Sequence, residues 1–225
     1  MEATLEAVEV ATGPDPRAAV IWLHGLGADG HDFEPIVPAL GLPRAPAIRF
    51  VFPHAPLQPV TLNGGAVMRA WYDIYDLDGV RRPDEIGLRA SQNHVERLIA
   101  REQARGVAPG RLVLAGFSQG GAIALQTGLR YPERLAGIMG LSTYLPLAHS
   151  LESEASMANR AVPIFLAHGV YDPLIPLARA RSARDRLREV GYAPEWREYP
   201  MEHAVCPEEI HDIAAWLGRA LQLTG

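Results

Sequence analysis

A serine flanked by glycines stands at a predicted strand-to-helix junction near the middle of this chain. The segment GFSQG at 116–120 closes the apolar run LVLAGF at 112–117 and opens a helical pattern. A serine on so tight a turn exposes its hydroxyl at a helix N-terminus, where the helix dipole favours developing negative charge. The pattern predicts Ser118 as a nucleophile in acyl transfer; the alternative is a serine that only caps the helix.

A serine hydroxyl is a weak nucleophile, so a general base and an acid that orients the base are expected further along the chain. In the expected order, the acid follows a later strand and the histidine follows the last strand. Asp172 follows the apolar run at 163–167, and the proline after it disfavours a helical conformation. His203 lies between the last predicted strand and the last predicted helix. We therefore expect Ser118, His203 and Asp172 to form a catalytic triad; the alternative for Asp172 is a helix cap.

The other histidines downstream of the serine fit the role of base less well. His149 precedes the predicted acid, which breaks the expected order. His168 lies at a strand end, where it would serve as a structural hydrogen-bond donor, and His211 falls inside the last predicted helix. These positions favour His203 as the base.

The glycine-rich segment HGLGADG at 24–30 directly follows the apolar run at 19–23. A loop in this place supplies one donor of an oxyanion hole, and the residue after the nucleophile supplies the other. We therefore expect the backbone N–H groups of Leu26 and Gln119 to bind the oxyanion of a tetrahedral intermediate. The alternative is a plain glycine-rich turn.

The elements that must position these residues alternate between strand and helix patterns. The predicted strands are 5–10, 19–23, 48–52, 112–117, 135–141, 163–167 and 195–199, and the last is placed nearer an edge because its pattern alternates. The predicted helices are 85–105, 120–130, 177–190 and 208–221. This alternation favours a mostly parallel central sheet that is flanked by helices on both faces.

Two stretches, 53–83 and 142–160, lack a clear period. Ligands bind at the carboxyl ends of parallel strands, where such loops lie. Trp71, Tyr72 and Leu145 are therefore predicted to line a pocket for an uncharged acyl chain of short to medium length, with core packing as the alternative. Neither stretch is long enough for a separate lid domain, so one domain is predicted over 1–225.

Composition limits the remaining classes of function. The chain has 225 residues, a net charge of -5 and no basic run, which argues against nucleic acid as a partner. No stretch approaches the roughly 20 apolar residues of a membrane helix, and no signal-peptide pattern is found. With one cysteine, Cys206, no disulfide can form within the chain. We expect a cytoplasmic protein without stable membrane insertion, cofactor or metal.

Taken together, these residues resemble the phospholipase/carboxylesterase family, specifically bacterial carboxylesterases that are relatives of the acyl-protein thioesterases. The matching segments run nearly end to end: VIWLHGLGADGHDFEPIVPAL at 20–40, RFVFPHAP at 49–56, VTLNGG at 60–65, AWYDIYDL at 70–77, LVLAGFSQGGAIAL at 112–125, LSTYLPL at 141–147, HGVYDPLIP at 168–176 and YPMEHAVCPEEIHDIAAWL at 199–217. The resemblance implies an α/β-hydrolase fold, a Ser118–His203–Asp172 triad and cytoplasmic hydrolysis of carboxylic esters or thioesters. It also suggests a homodimer.

One position departs from the family pattern, in which glycine stands directly before the catalytic histidine. Here that position holds Glu202. A glycine can take a positive φ that glutamate tolerates poorly, and a carboxylate beside the base favours imidazolium. We therefore expect backbone strain at this position and either reduced activity or a raised pH optimum.

The hypothesis is a serine carboxylesterase that acts on small ester substrates through an acyl-enzyme. Acyl-protein thioesterase or lysophospholipase activity, and an inactive hydrolase-fold binding protein, are the alternatives within the same fold. A dienelactone-hydrolase-like enzyme would normally carry cysteine in place of Ser118. A metal hydrolase could draw on His203, Cys206, His211 and Glu209, although their spacing lacks the H-E-x-x-H pattern.

Overall fold

Strands and helices alternate along the chain in the computed structural model, which describes residues 4–75 and 83–223. The strands are β1 (Ala7–Ala11), β2 (Ala18–Leu23), β3 (Ile48–Pro53), β4 (Leu57–Val60), β5 (Ala66–Arg69), β6 (Leu112–Phe117), β7 (Gly137–Leu141), β8 (Ile164–Gly169) and β9 (Glu195–Tyr199). The helices are α1 (Ile36–Ala39), α2 (Glu85–Ala104), α3 (Gln119–Gly128), α4 (Leu151–Glu154), α5 (Leu177–Glu189) and α6 (Pro207–Ala220). Short 3-10 turns lie at Thr61–Asn63, Pro109–Arg111 and Met157–Asn159.

Seven of these strands form one sheet in the order β1-β3-β2-β6-β7-β8-β9. Strand β1 pairs antiparallel with β3, whereas the pairs from β3 to β9 are parallel. The mostly parallel sheet predicted from the alternating pattern is therefore confirmed, and β9 lies at an edge as expected. The carboxyl ends of β2, β6, β8 and β9, which precede the predicted site residues, lie at the same end of the sheet.

Helices cover both faces of the sheet, which explains why its strands are continuous apolar runs. Ile21 and Leu23 of β2 point to one face, where they belong to a core cluster with residues of α2, α3 and α5. Val20 and Trp22 point to the other face and join a second cluster with residues of α1 and α6. Successive residues of a strand point to opposite faces, so one six-residue strand supplies both cores.

The differences from the sequence prediction lie in the short elements. Strands β4 and β5 form an antiparallel hairpin inside the stretch 53–83, which was predicted to be irregular. Each hairpin strand has four residues and carries a proline or adjoins glycines, so no periodic signal is visible. Residues 76–82 of that stretch lie outside the described residues, and so do 1–3 and 224–225. Within the described part of both irregular stretches there is no lid domain, and the single domain over 1–225 stays a prediction.

Helix α3 begins so close to β2 that position 120 has no room for a side chain. A Cβ added to Gly120 would lie 2.3 Å from the carbonyl oxygen of Leu23 and 2.6 Å from that of His24. Backbone oxygens cannot move aside without displacing the strand end. The glycine therefore allows the loop after β2 to meet the helix that follows Ser118.

Helix α6 follows the loop that carries His203, and a fully buried carboxyl group lies in its first turn. Neither oxygen of Glu209 has a hydrogen-bond partner among the described residues. Burial raises the pKa of Glu209 to about 8, because the charged form loses its hydration. The neighbouring Glu208 is exposed. Replacing each residue in turn therefore compares a buried with an exposed carboxyl group in the same helical turn.

Replacing Gly120 with alanine is expected to destabilise the protein by about 3 kcal/mol or more, because the added methyl group overlaps backbone atoms of β2. Gly218→Ala in α6 is the matched control, since nothing outside its own helix lies within 4 Å of the new Cβ. That change should be neutral or stabilise by up to about 1 kcal/mol. Urea unfolding of both variants measures the difference, and equal midpoints would contradict the close approach.

Replacing Glu209 with glutamine is expected to stabilise the protein in a pH-dependent way. The pKa of the buried carboxyl is raised on folding, so its stability contribution is fully present below about pH 4.5 and is lost as pH rises through about 8. Glu209→Gln should therefore match the parent near pH 4.5 and exceed it by about 2–4 kcal/mol near pH 8. Thermal or urea unfolding across this range measures the effect. Glu208→Gln should leave the pH dependence unchanged.

Candidate active site

Ser118 occupies a strained turn between β6 and α3. Its φ is 54° and its ψ is -119°, a conformation that residues with side chains rarely adopt. Two contacts from the neighbouring β7 region hold it. The Ser118 N–H donates to the carbonyl of Leu141 at 2.8 Å, and the Thr143 hydroxyl donates to the carbonyl of Ser118 at 2.7 Å. The strand-to-helix turn predicted from the GFSQG segment is thus present, and the adjacent strand maintains its strain.

Asp172 lies just beyond the end of β8 and is buried. Its Oδ1 accepts hydrogen bonds from the backbone N–H groups of Leu174 and Ile175, each at 2.9 Å. Its Oδ2 lies 2.7 Å from Nδ1 of His203. The carboxylate accepts from Nδ1–H, which leaves the lone pair of the neutral ring on Nε2. The backbone bonds to Oδ1 fix the carboxylate so that Oδ2 points at the imidazole.

The imidazole of His203 lies beside the nucleophile turn. Its ring centroid is 4.7 Å from that of Phe117, the residue directly before Ser118. Ser118 and His203 line the same cavity, and the His203 side chain is 14% exposed. The structure therefore brings the hydroxyl, the imidazole and the carboxylate predicted from the sequence to one end of the sheet.

The loop that carries His203 packs directly against the end of β8. A Cβ added to Gly169 would lie 2.3 Å from the carbonyl oxygen of Glu202 and 2.4 Å from that of Met201. The backbone N–H of Tyr171 also donates to the carbonyl of Met201 at 3.1 Å. This close packing sets the distance between the loop of Asp172 and the loop of His203.

The backbone strain expected at Glu202 is absent. Of the described residues other than glycine, those with positive φ are Asp15, Ser118, Ser142, Leu147 and Gln222. Glu202 is exposed and lies outside this set, so glutamate fits its backbone there without a left-handed conformation. The expectation was wrong because residue 202 does not take a positive φ. The residue that must be glycine in this contact is Gly169, which packs against the carbonyl oxygen of Glu202.

Leu26 and Gln119, the predicted oxyanion donors, both line the cavity beside Ser118. Neither backbone N–H has a hydrogen-bond partner within the described residues. The loop of Leu26 is held from both sides. Gly27 N–H donates to Arg69 of the hairpin at 2.9 Å, and the ring of His24 bridges the carbonyl of Gly25 at 2.7 Å and the N–H of Ala55 at 3.0 Å.

Burial lowers the pKa of His24, so its imidazole is a neutral spacer in this loop. Its Nδ1–H donates to Gly25 and its Nε2 accepts from Ala55. In the sequence, His24 stands out only as part of the glycine-rich segment at 24–30. The structure shows that its side chain sets the distance between the loop after β2 and the end of β3.

The role of the Gln119 side chain is a second feature that was not predicted from the sequence. Its amide oxygen accepts from the backbone N–H of Trp71 at 2.8 Å, and its amide nitrogen donates to the carbonyl of Tyr72 at 2.7 Å. One buried side chain thus anchors the aromatic loop to the start of α3. The signal available in the sequence was a long polar residue in a segment that is otherwise small or apolar.

The three predicted pocket residues lie in different places. Trp71 is 1% exposed, donates from its indole N–H to the carbonyl of His24 at 2.9 Å, and is not among the residues that line the described cavities. Its large ring packs in the core beneath the site. Tyr72 lines the cavity beside Ser118 as expected, whereas Leu145 lines a neighbouring cavity.

The cavity beside Ser118 has a volume of about 350 Å³ and a mostly apolar wall. Its lining residues are Gly25, Leu26, Ala28, Asp32, Leu62, Asn63, Tyr72, Ile74, Phe117, Ser118, Gln119, Tyr144, Leu174, Ile175, Arg179 and His203. Half of these residues have polar side chains, but apolar atoms form most of the wall surface. The arrangement can hold an uncharged acyl group against a nucleophile, a base and two backbone donors.

Of the remaining candidates, His168 lies next to this arrangement, with its Nε2 3.4 Å from Oδ2 of Asp172. His168 is buried, donates from Nε2 to the carbonyl of Ile175 at 2.8 Å, and has its pKa lowered by burial. It is the structural donor that its position suggested. His149 and His211 are exposed. In residues 4–75 and 83–223, no three His, Cys, Asp or Glu side chains form a group that could hold a metal ion, so the cluster considered around His211 is not assembled.

The chain is similar to known proteins over most of its length. The sequence model of one family, described as Phospholipase/Carboxylesterase, matches residues 5–221. Acyl-protein thioesterase 1 from Gibberella zeae is 37% identical over 213 residues, which are 91% of this chain and 91% of the relative. Acyl-protein thioesterase 1 from Neurospora crassa is 39% identical over 213 residues, 91% of this chain and 87% of the relative. Both relatives are fungal, so they give no support to the bacterial origin expected from the sequence.

Solved structures of similar chains have the same architecture. The crystal structure of Arabidopsis thaliana SOBER1 has a TM-score of 0.86 at 33% identity and covers 91% of this chain and 99% of that one. The crystal structure of Zea mays acyl-protein thioesterase 2 has a TM-score of 0.84 at 30% identity, with 96% and 100% covered. These matches confirm the predicted fold. No helix within the described residues combines the length and the apolar character needed to cross a bilayer.

Proposed function

Because this chain belongs to the phospholipase/carboxylesterase family, we propose that it is a serine carboxylesterase with Ser118 as nucleophile, His203 as base and Asp172 as the orienting acid. Membership of the family makes the chain an ester hydrolase, and the residue roles are our proposal. The observation that carries it is the 2.7 Å contact between His203 Nδ1 and Asp172 Oδ2, next to a cavity that Ser118 and His203 both line.

In the first half of the proposed reaction, the acyl group moves to the serine. Nε2 of His203 accepts the hydroxyl proton while Ser118 Oγ attacks the carbonyl carbon of the ester. The negative charge that develops on the carbonyl oxygen is stabilised by the N–H groups of Leu26 and Gln119. The imidazolium then donates its proton to the leaving alcohol, the carbon–oxygen bond breaks, and the acyl-enzyme remains.

In the second half, water replaces the alcohol. His203 takes a proton from the water as the water oxygen attacks the acyl carbonyl, and the same oxyanion donors bind the second tetrahedral intermediate. The imidazolium returns the proton to Ser118 Oγ as the acid product leaves. Asp172 accepts the hydrogen bond from Nδ1 in both halves and stabilises the imidazolium.

The substrate class follows from the wall of the cavity. Its lining is mostly apolar, so an uncharged acyl group of short to medium length is the proposed substrate. Thioesters are the second candidate, because the similar fungal proteins are named acyl-protein thioesterases. The same triad cleaves either bond. The ratio of kcat/KM for an oxygen ester and a thioester of the same acyl group decides between the two candidates.

The alternative of an inactive binding protein rested on glutamate before the base. Because Glu202 has no positive φ, backbone strain no longer supports that alternative. A cytoplasmic location, the use of a small ester substrate and a homodimer are carried over as further parts of the proposal.

Ser118→Ala is expected to lower ester turnover at least 1000-fold, roughly the loss typical when a triad nucleophile is removed. Hydrolysis of p-nitrophenyl butanoate measures turnover, and a fluorophosphonate probe with mass spectrometry identifies the labelled residue. Ser153→Ala is the control, because Ser153 is exposed and bonds only the carbonyl of Ser150 among the described residues. Retained turnover in purified, folded Ser118→Ala protein would refute the proposed nucleophile.

Asp172→Asn is expected to lower kcat by roughly 1000- to 10000-fold while leaving the fold intact. The asparagine oxygen can still accept from Leu174 and Ile175, but its amide group faces Nδ1 and favours the ring tautomer with the proton on Nε2. Asp212→Asn is the control, since Asp212 accepts from the Tyr199 hydroxyl at 2.7 Å instead. Unfolding curves check the fold, and a kcat within tenfold of the parent speaks against Asp172 as the orienting acid.

A further inference from the structure

A second cavity of about 400 Å³ adjoins the one beside Ser118. The two share four lining residues, Tyr72, Ile74, Tyr144 and Arg179. Ser118 and His203 line only the first cavity. A group attached to the serine therefore has to pass these shared residues to reach the second space.

The shared residues include a bonded pair of tyrosine hydroxyls. The hydroxyl oxygens of Tyr72 and Tyr144 lie 2.6 Å apart. Burial raises the pKa of both groups, so both stay neutral and one donates to the other. The guanidinium of Arg179 lies 3.8 Å from the centroid of the Tyr144 ring and packs over its face. The two rings thus form a braced partition.

The partition is tied to the nucleophile turn from both sides. The carbonyl of Tyr72 accepts from the Gln119 side chain at 2.7 Å. Tyr144 directly follows Thr143, whose hydroxyl donates to the carbonyl of Ser118 at 2.7 Å. These contacts fix the distance between the partition and the serine.

The far side of the partition is suited to hydrocarbon. Leu88, Leu145, Leu147, Ala148 and Ala183 line the second cavity. Asp73, Asp84 and Arg186 also reach it, so its apolar part is a limited surface between charged groups. An aliphatic tail would bury against the leucines and alanines if it could enter.

We propose that the Tyr72–Tyr144 pair is the end wall of the acyl pocket, and that the second cavity is a tail subsite which this wall closes. The inference rests on the proposed function and adds the substrate class, namely esters of short acyl chains. Longer chains are rejected because entry would separate two buried hydroxyls and displace the ring beneath Arg179. Removing part of this wall should therefore produce an enzyme that accepts long acyl chains.

Tyr144→Ala tests the wall through the ratio of kcat/KM for p-nitrophenyl dodecanoate to that for the butanoate. In the parent the ratio should lie below one. The variant should raise it at least about tenfold, since each further buried methylene is worth about fourfold in binding. Tyr144→Leu leaves a larger side chain than alanine does and should therefore raise the ratio less. It also provides the test if the alanine variant folds poorly.

Ala148→Phe provides the matched control, because Ala148 lines only the second cavity. Alone, it should leave the parent ratio unchanged. Combined with Tyr144→Ala, it should return the ratio toward the parent value by filling the opened space. An unchanged ratio in folded Tyr144→Ala and Tyr144→Leu proteins, or a double variant that still prefers dodecanoate, would overturn the inference.

A binding measurement separates this inference from the proposed function. In the Ser118→Ala background no turnover is required, and calorimetry with dodecanoate reports the tail subsite directly. Tyr144→Ala should tighten dodecanoate binding at least about tenfold there, and Ala148→Phe should reverse the gain. Failure of the esterase assays alone refutes the reaction, whereas unchanged dodecanoate affinity refutes the wall.

Discussion

The hydrogen bond between His203 and Asp172 joins two loops that leave neighbouring parallel strands, β9 and β8. It can form because parallel strands bring their carboxyl ends to the same end of a sheet, and because Gly169 lets the backbone of the His203 loop lie against the end of β8. Everything proposed for the chemistry depends on this contact. It orients the imidazole, and the ring of Phe117 then holds that imidazole beside the serine turn. The seven-stranded sheet thus acts as the frame that fixes the positions of three residues far apart in the sequence.

The same side chains that stabilise the turn also arrange its surroundings. Gln119 belongs to the nucleophile segment, supplies a proposed oxyanion donor through its backbone and anchors the aromatic loop through its amide. Thr143 reaches back from the end of β7 to the carbonyl of Ser118. Strain at Ser118 persists because these buried hydrogen bonds would be lost if the turn relaxed. The same hydrogen bonds therefore stabilise the fold and position the site, so a substitution that removes one of them should affect both.

The adjacent aromatic residues Trp71 and Tyr72 have different structural roles. Trp71 packs below the site and bonds the loop after β2, whereas Tyr72 faces the cavity and meets Tyr144. The depth of the acyl pocket, in our proposal, is decided by where these two rings touch. The nucleophile and the base do not set this depth, because Ser118 and His203 line only the cavity on their own side of the partition. Chain-length preference is then a property of the loops, while the reaction type is a property of the strand ends.

The sequence by itself determined the order of the seven strands of the main sheet and of the four long helices, the mostly parallel sheet, and the candidate triad of Ser118, Asp172 and His203. Apolar runs and turn residues are local signals, and the chain order of a nucleophile, an acid and a base can be read along one dimension. The tertiary structure decided which way side chains point in the irregular loops. Trp71 turned inward, Leu145 fell in a second cavity, Glu202 kept an ordinary backbone and a hairpin formed where no period was visible. These outcomes depend on contacts with residues such as Gln119 and Gly169, which lie tens of positions away, and no local pattern encodes such contacts.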